Sequence, residues 1–345
     1  MPVIDRRTFV AAAVSGVGAA CCSAGAPIAP LVGRGRVTNE TTPILPWDQL
    51  RPGVWVPPSD LSGGNVAVIA SAGRAVVIDS KFASVAGALM HAASAFAEAP
   101  ADGVRITLVT THHHGDHTSG NATFAHSGAT LVAHINATPR IAGQVDRYRA
   151  SLASAEEAAR GIDASNERLI ELAAAQAALS TNLRPSSSVP MVAIGEHAEL
   201  QVPTMPIELR HFGPGHTDND LVARIDSQNV VHTGDLVFNG LHPFFDASAG
   251  VTARGWIESL RAVEQLCDEE PIDEPGHEPL RHDNLKRAQR SYIEQLINAV
   301  EQAQASGSSK EATTEQVFDF MEGLGFDRIR PIAIGVVWDQ VVAGL

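Results

Sequence analysis

The stretch "TTHHHGDHTSGN", Thr110 to Asn121, holds four histidines and one aspartate in twelve residues. It continues "RITLVTT", Arg105 to Thr111, a run rich in β-branched residues that reads as a buried strand. If the backbone stays extended past that strand, His112 and His114, two positions apart, leave on the same side. His113 then leaves on the other side and is read as a non-ligand. Asp116 and His117 follow where the chain turns toward a helix, with Gly115 and Gly120 allowing the bend. One short segment thus offers two imidazoles to one point and a carboxylate with an imidazole to an adjacent point. The bland alternative is a polar loop that happens to be rich in His, and the rest of the chain must decide.

Three signals downstream bear on that choice. "GPGHTDND" supplies His216, "VVHTGDLVF" supplies Asp235 and "DEPGHEPL" supplies His277, each read at a strand end beside glycine. Loops at strand ends are where a rigid scaffold displays functional groups. Together the residues are five His and two Asp: His112, His114, Asp116, His117, His216, Asp235 and His277. That set is enough for two borderline metal ions sharing a carboxylate. Its all-N,O donors suit Zn²⁺ and tolerate Mn²⁺ or Fe²⁺.

The ordered motifs H-x-H-x-D-H, G-H-T, T-G-D and P-G-H resemble those of the metallo-β-lactamase superfamily, over roughly Gly53 to Leu280. The resemblance implies that His112, His114 and His216 hold one metal, that Asp116, His117 and His277 hold the other, and that Asp235 bridges. It also implies that Asp79, in "RAVVIDS", is a structural residue behind the ligands or at the turn. The activity expected is hydrolysis of an ester, thioester or lactam carbonyl of a small molecule by a metal-bridging hydroxide, with Asp116 and Asp235 as the catalytic carboxylates.

Departures bear on the branch. Flavodiiron reductases of this fold carry Glu where this chain has His114, and plasmid-type lactamases carry Cys where it has Asp235. Asp235 matches glutathione thioester hydrolases and acyl-homoserine lactone lactonases. The lactonases place a Tyr three residues later, where this chain has Phe238. A missing phenolic donor would fall to His211, Asn239 or the metal. A β-lactamase proper and a lactonase stay open as alternatives, as does a non-enzymatic zinc-stabilised binding protein. Of the other histidines, His126, His134, His211, His232, His242 and His282 read as surface or structural, with His211 and His232 as candidates to orient ligands.

Strands arrive in two batches, each followed by helices, which predicts an α/β αββα sandwich of two mixed β-sheets with outer helices. The segments expected are a leader at 1–26, an arm at 27–50, the main domain at 51–305 with a helical insertion at 141–185, and a C-terminal extension at 306–345. A helix is expected over "TTEQVFDFMEGLG", Thr313 to Gly325, followed by an apolar end, "PIAIGVVW". The insertion is read as a cover near the site's mouth, with a dimerisation arm, hence a homodimer, as the alternative.

The formal charge of −14 argues against nucleic acid and anionic membranes as partners. Arg6 and Arg7 precede the apolar run "VAAAVSGVGAACC", which resembles a twin-arginine export signal and is too weakly apolar for a comfortable membrane span. A periplasmic or secreted protein is therefore expected, with no lipid anchor. Cys21 and Cys22 fall in this leader, so Cys267 stands alone and no intramolecular disulfide is expected.

Overall fold

The structure, a computed structural model, describes residues 47–57, 63–98, 103–142, 191–266, 272–277 and 285–345. Strands β1 (Asp48–Arg51), β2 (Val54–Val56), β3 (Ala67–Ser71) and β4 (Arg74–Ile78) form an antiparallel meander. Helix α1 (Ala83–Phe96) then leads to β5 (Arg105–Thr110), which pairs parallel to β4. Short helices α2 (Gly115–Thr118) and α3 (Asn121–His126) connect to β6 (Thr130–His134), and β7 (Met191–Ile194) completes a seven-stranded sheet in sequence order.

The second sheet has five strands. In it β8 (His197–Val202), β9 (Met205–Arg210), β10 (Val222–Ile225) and β11 (Val230–Phe238) run antiparallel, and β12 (Ile272–His277) lies parallel to β11. Helices α4 (Ala253–Leu266), α5 (Leu285–Ala305), α6 (Lys310–Thr314) and α7 (Arg330–Ala343) follow around and after β12.

The period of two along β4 shows how the layers form. Val76 and Ile78 face the second sheet and pack with Ile207, Leu209 and Ile225, whereas Ala75 and Val77 face α1 and pack with Leu89 and Ala93. A third core joins the outer face of β11 to α4, α5 and α7 through Val237, Trp256, Leu260, Leu296 and Val337. The result is the αββα sandwich that the two batches of strands predict. Ile78→Ala, at the buried inter-sheet layer, would cost about 2–5 kcal/mol.

Two expectations need correction and three fall outside the described residues. β1 begins inside the stretch read as an arm, because Trp47 beside it packs edge-on against Phe96, 5.4 Å between centroids. The helix expected over Thr313–Gly325 stops at Thr314. Phe318 and Phe320 instead stack with parallel rings 5.8 Å apart, which residues two apart on a helix cannot do. The helix comes later, over the apolar end, where Pro331 opens α7 and Ala333, Ile334 and Val337 recur on its buried face. The helical insertion, from residue 143 on, the leader and Cys267 lie outside the described residues.

Candidate metal centre

Four separate parts of the chain meet at one end of the sandwich. β5 delivers His112 and His114 just past its last residue, and α2 carries Asp116 and His117. The connection from β9 to β10 supplies His216, β11 supplies Asp235 and β12 ends on His277. All seven residues predicted from the sequence are brought together, in two neighbouring groups. His112, His114, His216 and Asp235 offer ligand atoms within 4.8 Å of one another, and so do Asp116, His117 and His277.

In the first group, His114 Nδ1 lies 3.1 Å from His112 Nε2 and 2.9 Å from His216 Nε2. Tetrahedral zinc ligands at 2.0–2.1 Å sit roughly 3.3 Å apart, so three nitrogens this close form one face of such a site. The opposite nitrogen of each ring is held. His216 Nδ1 donates to Phe244 O at 2.6 Å. His112 Nδ1 meets Thr111 Oγ1 at 3.0 Å, and that hydroxyl donates to Asp79 Oδ2 at 2.7 Å. His114 Nε2 faces Asp246 Oδ2 at 3.3 Å. Each outer contact fixes the tautomer that leaves the inner nitrogen's lone pair free.

The second group is organised differently. His117 Nδ1 pairs with Asp79 Oδ2 at 2.7 Å, turning Nε2 inward. That Nε2 lies 3.2 Å from Asp235 Oδ1, and His277 Nε2 lies 3.3 Å from Asp116 Oδ2 and 3.5 Å from Asp235 Oδ2. Yet His117 Nε2, His277 Nε2, Asp116 Oδ1 and Asp235 Oδ1 are all buried without a hydrogen-bond partner. Buried polar atoms are almost always satisfied. Four unsatisfied ones, close together and not bonded to each other, fit ligands that share a cation. Asp79, with φ +63°, grips Thr111 and His117 at once and so orients one ring in each group.

Electrostatics separate the groups further. Burial, reinforced by His114, lowers His216 to about 3, and burial with His117 also lowers His112. Burial acts on His277 in the same direction, but Asp235 and Asp116 outweigh it and lift the ring to about 9. Asp235, Asp79 and Asp116 likewise overcome burial to raise His117. Those carboxylates therefore demand positive charge, which a metal ion also supplies.

Two glycines make the room. A Cβ on Gly276 would fall 1.8 Å from Asp235 Oδ1, and one on Gly64 would fall 2.0 Å from the His117 ring. Gly276 was legible beside His277 in "PGH"; nothing local marks Gly64.

His113, read as a non-ligand, is occupied at both nitrogens. Nδ1 accepts from Asn219 Nδ2 at 2.9 Å, and Nε2 faces Asp246 Oδ2 at 3.3 Å. By proximity His113, His114 and Asp246 make a third group able to hold an ion. Asp246 escapes sequence reasoning because "FFDAS" carries no histidine or glycine signal. Its Oδ1 is fixed by the Ser248 amide at 3.0 Å and hydroxyl at 2.6 Å. Burial draws Asp246 up, but the hydrogen bonds from His113, His114 and Ser248 hold it far below the usual carboxylate range. Of the two histidines expected to orient ligands, His211 donates from Nδ1 to Asp220 O at 2.8 Å, and His232 Nδ1 accepts from the Gly234 amide at 3.2 Å.

The sequence model of the metallo-β-lactamase superfamily matches residues 59–270. Three solved structures are similar. TMB-1 shares 17% identity over 73% of this chain and 97% of its own, with a TM-score of 0.51. A metallo-β-lactamase from Pontibacter korlensis shares 15% over 72% and 99%, with a TM-score of 0.50. The DIM-1 metallo-β-lactamase shares 16% over 73% and 97%, also at 0.50. At these identities the likeness is one of fold. No curated protein sequence matches the chain.

Proposed function

The chain belongs to the metallo-β-lactamase superfamily and is a metal-dependent hydrolase, and on that premise we propose that it is an exported two-zinc enzyme that cleaves the ester, thioester or lactam carbonyl of a small molecule. The observation that supports the two-metal part of this reading is the reach of Asp235. Its Oδ2 lies 3.5 Å from His216 Nε2 and 3.5 Å from His277 Nε2, while its Oδ1 lies 3.2 Å from His117 Nε2. One carboxylate thus spans both groups. The first group, with the shared Asp235, would hold one ion, and Asp116, His117 and His277 with the same carboxylate the other. Bound there, two divalent ions would supply Lewis acidity, bringing the pKa of water toward neutrality and polarising a carbonyl.

The side chains do the rest. Asp116 has Oδ2 3.3 Å from His277 Nε2 and Oδ1 without a hydrogen-bond partner, so with one oxygen on an ion its other oxygen would be placed to take up a proton and return it to the leaving group. Phe238, itself buried, lies parallel to the His277 ring, 8° between planes and 5.9 Å between centroids.

Elemental analysis of the mature protein should give two zinc ions per chain; a ratio near one, unchanged by zinc loading, would overturn the two-metal reading. A panel of lactams, lactones, thioesters and aryl esters, run with and without chelator, should show chelator-sensitive hydrolysis. Full zinc occupancy with no turnover of any class would favour the zinc-stabilised binding protein. Phe238→Tyr adds the donor whose like is worth ~2.7–4 kcal/mol in an oxyanion site. A sharp rise in lactone turnover with ester turnover held would identify the missing hydroxyl as what excludes lactones. Replacing Arg6 and Arg7 by Lys should retain the precursor in the cytoplasm, and normal export of that variant would refute the twin-arginine route.

A further inference from the structure

The ligand cluster is nearly sealed. The side chains of His112, His117, His216 and Asp235 are at most 1% exposed and that of Asp116 is 6% exposed, whereas His114 and His277 each reach 12%. Substrate must therefore arrive over those two rings. Each has a half-buried phenyl beside it. Phe244 lies 5.8 Å from His114 and Phe326 lies 5.9 Å from His277, centroid to centroid.

Phe326 is the more telling of the pair. It belongs to the segment between α6 and α7, beyond the end of the family match, and its φ is +64°. That left-handed conformation is unfavourable for any side-chain-bearing residue and a true outlier for a bulky one. The neighbouring backbone holds it there. Gly325 donates to Gly240 O at 2.8 Å and accepts from the His242 amide at 3.0 Å, and Phe326 O accepts from the Ile329 amide at 2.7 Å. A glycine would make this turn without strain, so the turn alone does not call for a phenyl ring. Core packing alone does not either, because the ring is only partly buried against the α4–α5–α7 core. Strain kept at a site's edge points to function.

We propose that Phe326 beside His277 and Phe244 beside His114 form an apolar mouth to the metal centre, and that the substrate carries an apolar alkyl or aryl group next to its scissile carbonyl. Phe326 is then a specificity-determining residue. This rests on the hydrolase reading above and deepens it.

The test uses the zinc-loaded full chain, 4-nitrophenyl acetate and 4-nitrophenyl hexanoate, and the variant Phe326→Gly. The unmodified protein should prefer the hexanoate. The variant should lose about tenfold or more of that preference in kcat/KM, the scale on which an apolar pocket discriminates. Its acetate kcat/KM should fall much less than its hexanoate kcat/KM, and its Tm should hold or rise, because glycine is free at this φ. An unchanged hexanoate-to-acetate ratio overturns the proposal, and a fall in Tm with that unchanged ratio assigns Phe326 to packing. If the zinc-loaded protein cleaves neither ester, the ester reading is what fails. Calorimetric binding of hexanoate then decides here: weaker binding by the variant than by the unmodified protein supports the apolar mouth, and equal binding overturns it.

Discussion

The two halves of the centre are built on different plans. The His112–His114–His216 half is a triad of imidazoles in which His114 Nδ1 lies 3.1 Å from His112 Nε2 and 2.9 Å from His216 Nε2, each ring steadied from outside by a hydroxyl, a carboxylate or a carbonyl. The Asp116–His117–His277 half has looser spacing, and with Asp235 it holds four buried atoms that have no hydrogen-bond partner. Gly64 and Gly276, whose added methyl groups would meet His117 and Asp235 themselves, abut this second half and its bridge, whereas Gly215 beside His216 is tight only against Leu236, Asp220 and Trp256. The difference teaches that the first half is preorganised by hydrogen bonds between protein groups, while the second half and Asp235 depend on open space and on a cation. The second should fail first when the structure is disturbed.

The largest effect should come from Asp235→Ala. It removes the carboxylate common to both halves, so zinc content should fall from two toward one, with the second half emptied first. Hydrolysis should drop at least about 100-fold, because a Lewis-acid ion supplies several kcal/mol and each 1.36 kcal/mol is tenfold. Equal loss of both ions would break the distinction between the halves. Gly276→Ala should follow closely, since its Cβ would meet Asp235 Oδ1 at 1.8 Å and neither β12 nor β11 can withdraw without breaking the parallel pairing. Zinc titration of that variant should show a normal first equivalent and a weakened second.

Asp246→Asn probes the other half. Asp246 steadies His114 from outside, and loss of such a partner costs about 10–100-fold in metal affinity. Competition with a chromogenic chelator should show the loss in the first equivalent, with the second less affected; the reverse order would sink the assignment of Asp246 to the triad.

The smallest effect lies outside the centre, at His134, whose ring lies 4.2 Å from that of His211 and accepts the Asn136 amide at 3.3 Å. Burial, helped by His211, lowers His134 to about 4. The folded state thus prefers the neutral ring. That stability is present above about pH 6.5 and is lost as pH falls from there through about 4. Urea unfolding of chelator-treated protein should lose on the order of 1–2 kcal/mol more between pH 7 and 4.5 in the unmodified chain than in His134→Phe. Identical pH slopes would show that His134 titrates normally.

The amino-acid sequence by itself determined the layers and marked the seven His and Asp residues that the fold brings together. The β-branched run marks β5, but that strand ends at Thr110 and the chain bends at 111–113, so His112 and His114 converge through that bend and not through a strand's period of two, and His113 meets the same Asp246 oxygen as His114. The sandwich was legible because apolar alternation and amphipathic helices are local patterns. What only the tertiary structure decided are contacts between segments with no common local signal. Asp246 reaches His114 across 132 positions, and Gly64 clears space for a ring 53 positions later. The tail shows the same limit. A helix was expected over Thr313–Gly325, but the stacking of Phe318 on Phe320 and the pairing of Gly325 with Gly240 set the backbone there, leaving Phe326 in a left-handed turn at the edge of the centre. Burial and long-range backbone pairing outweigh the few tenths of a kcal/mol per residue that propensity contributes, and no window of sequence contains both partners.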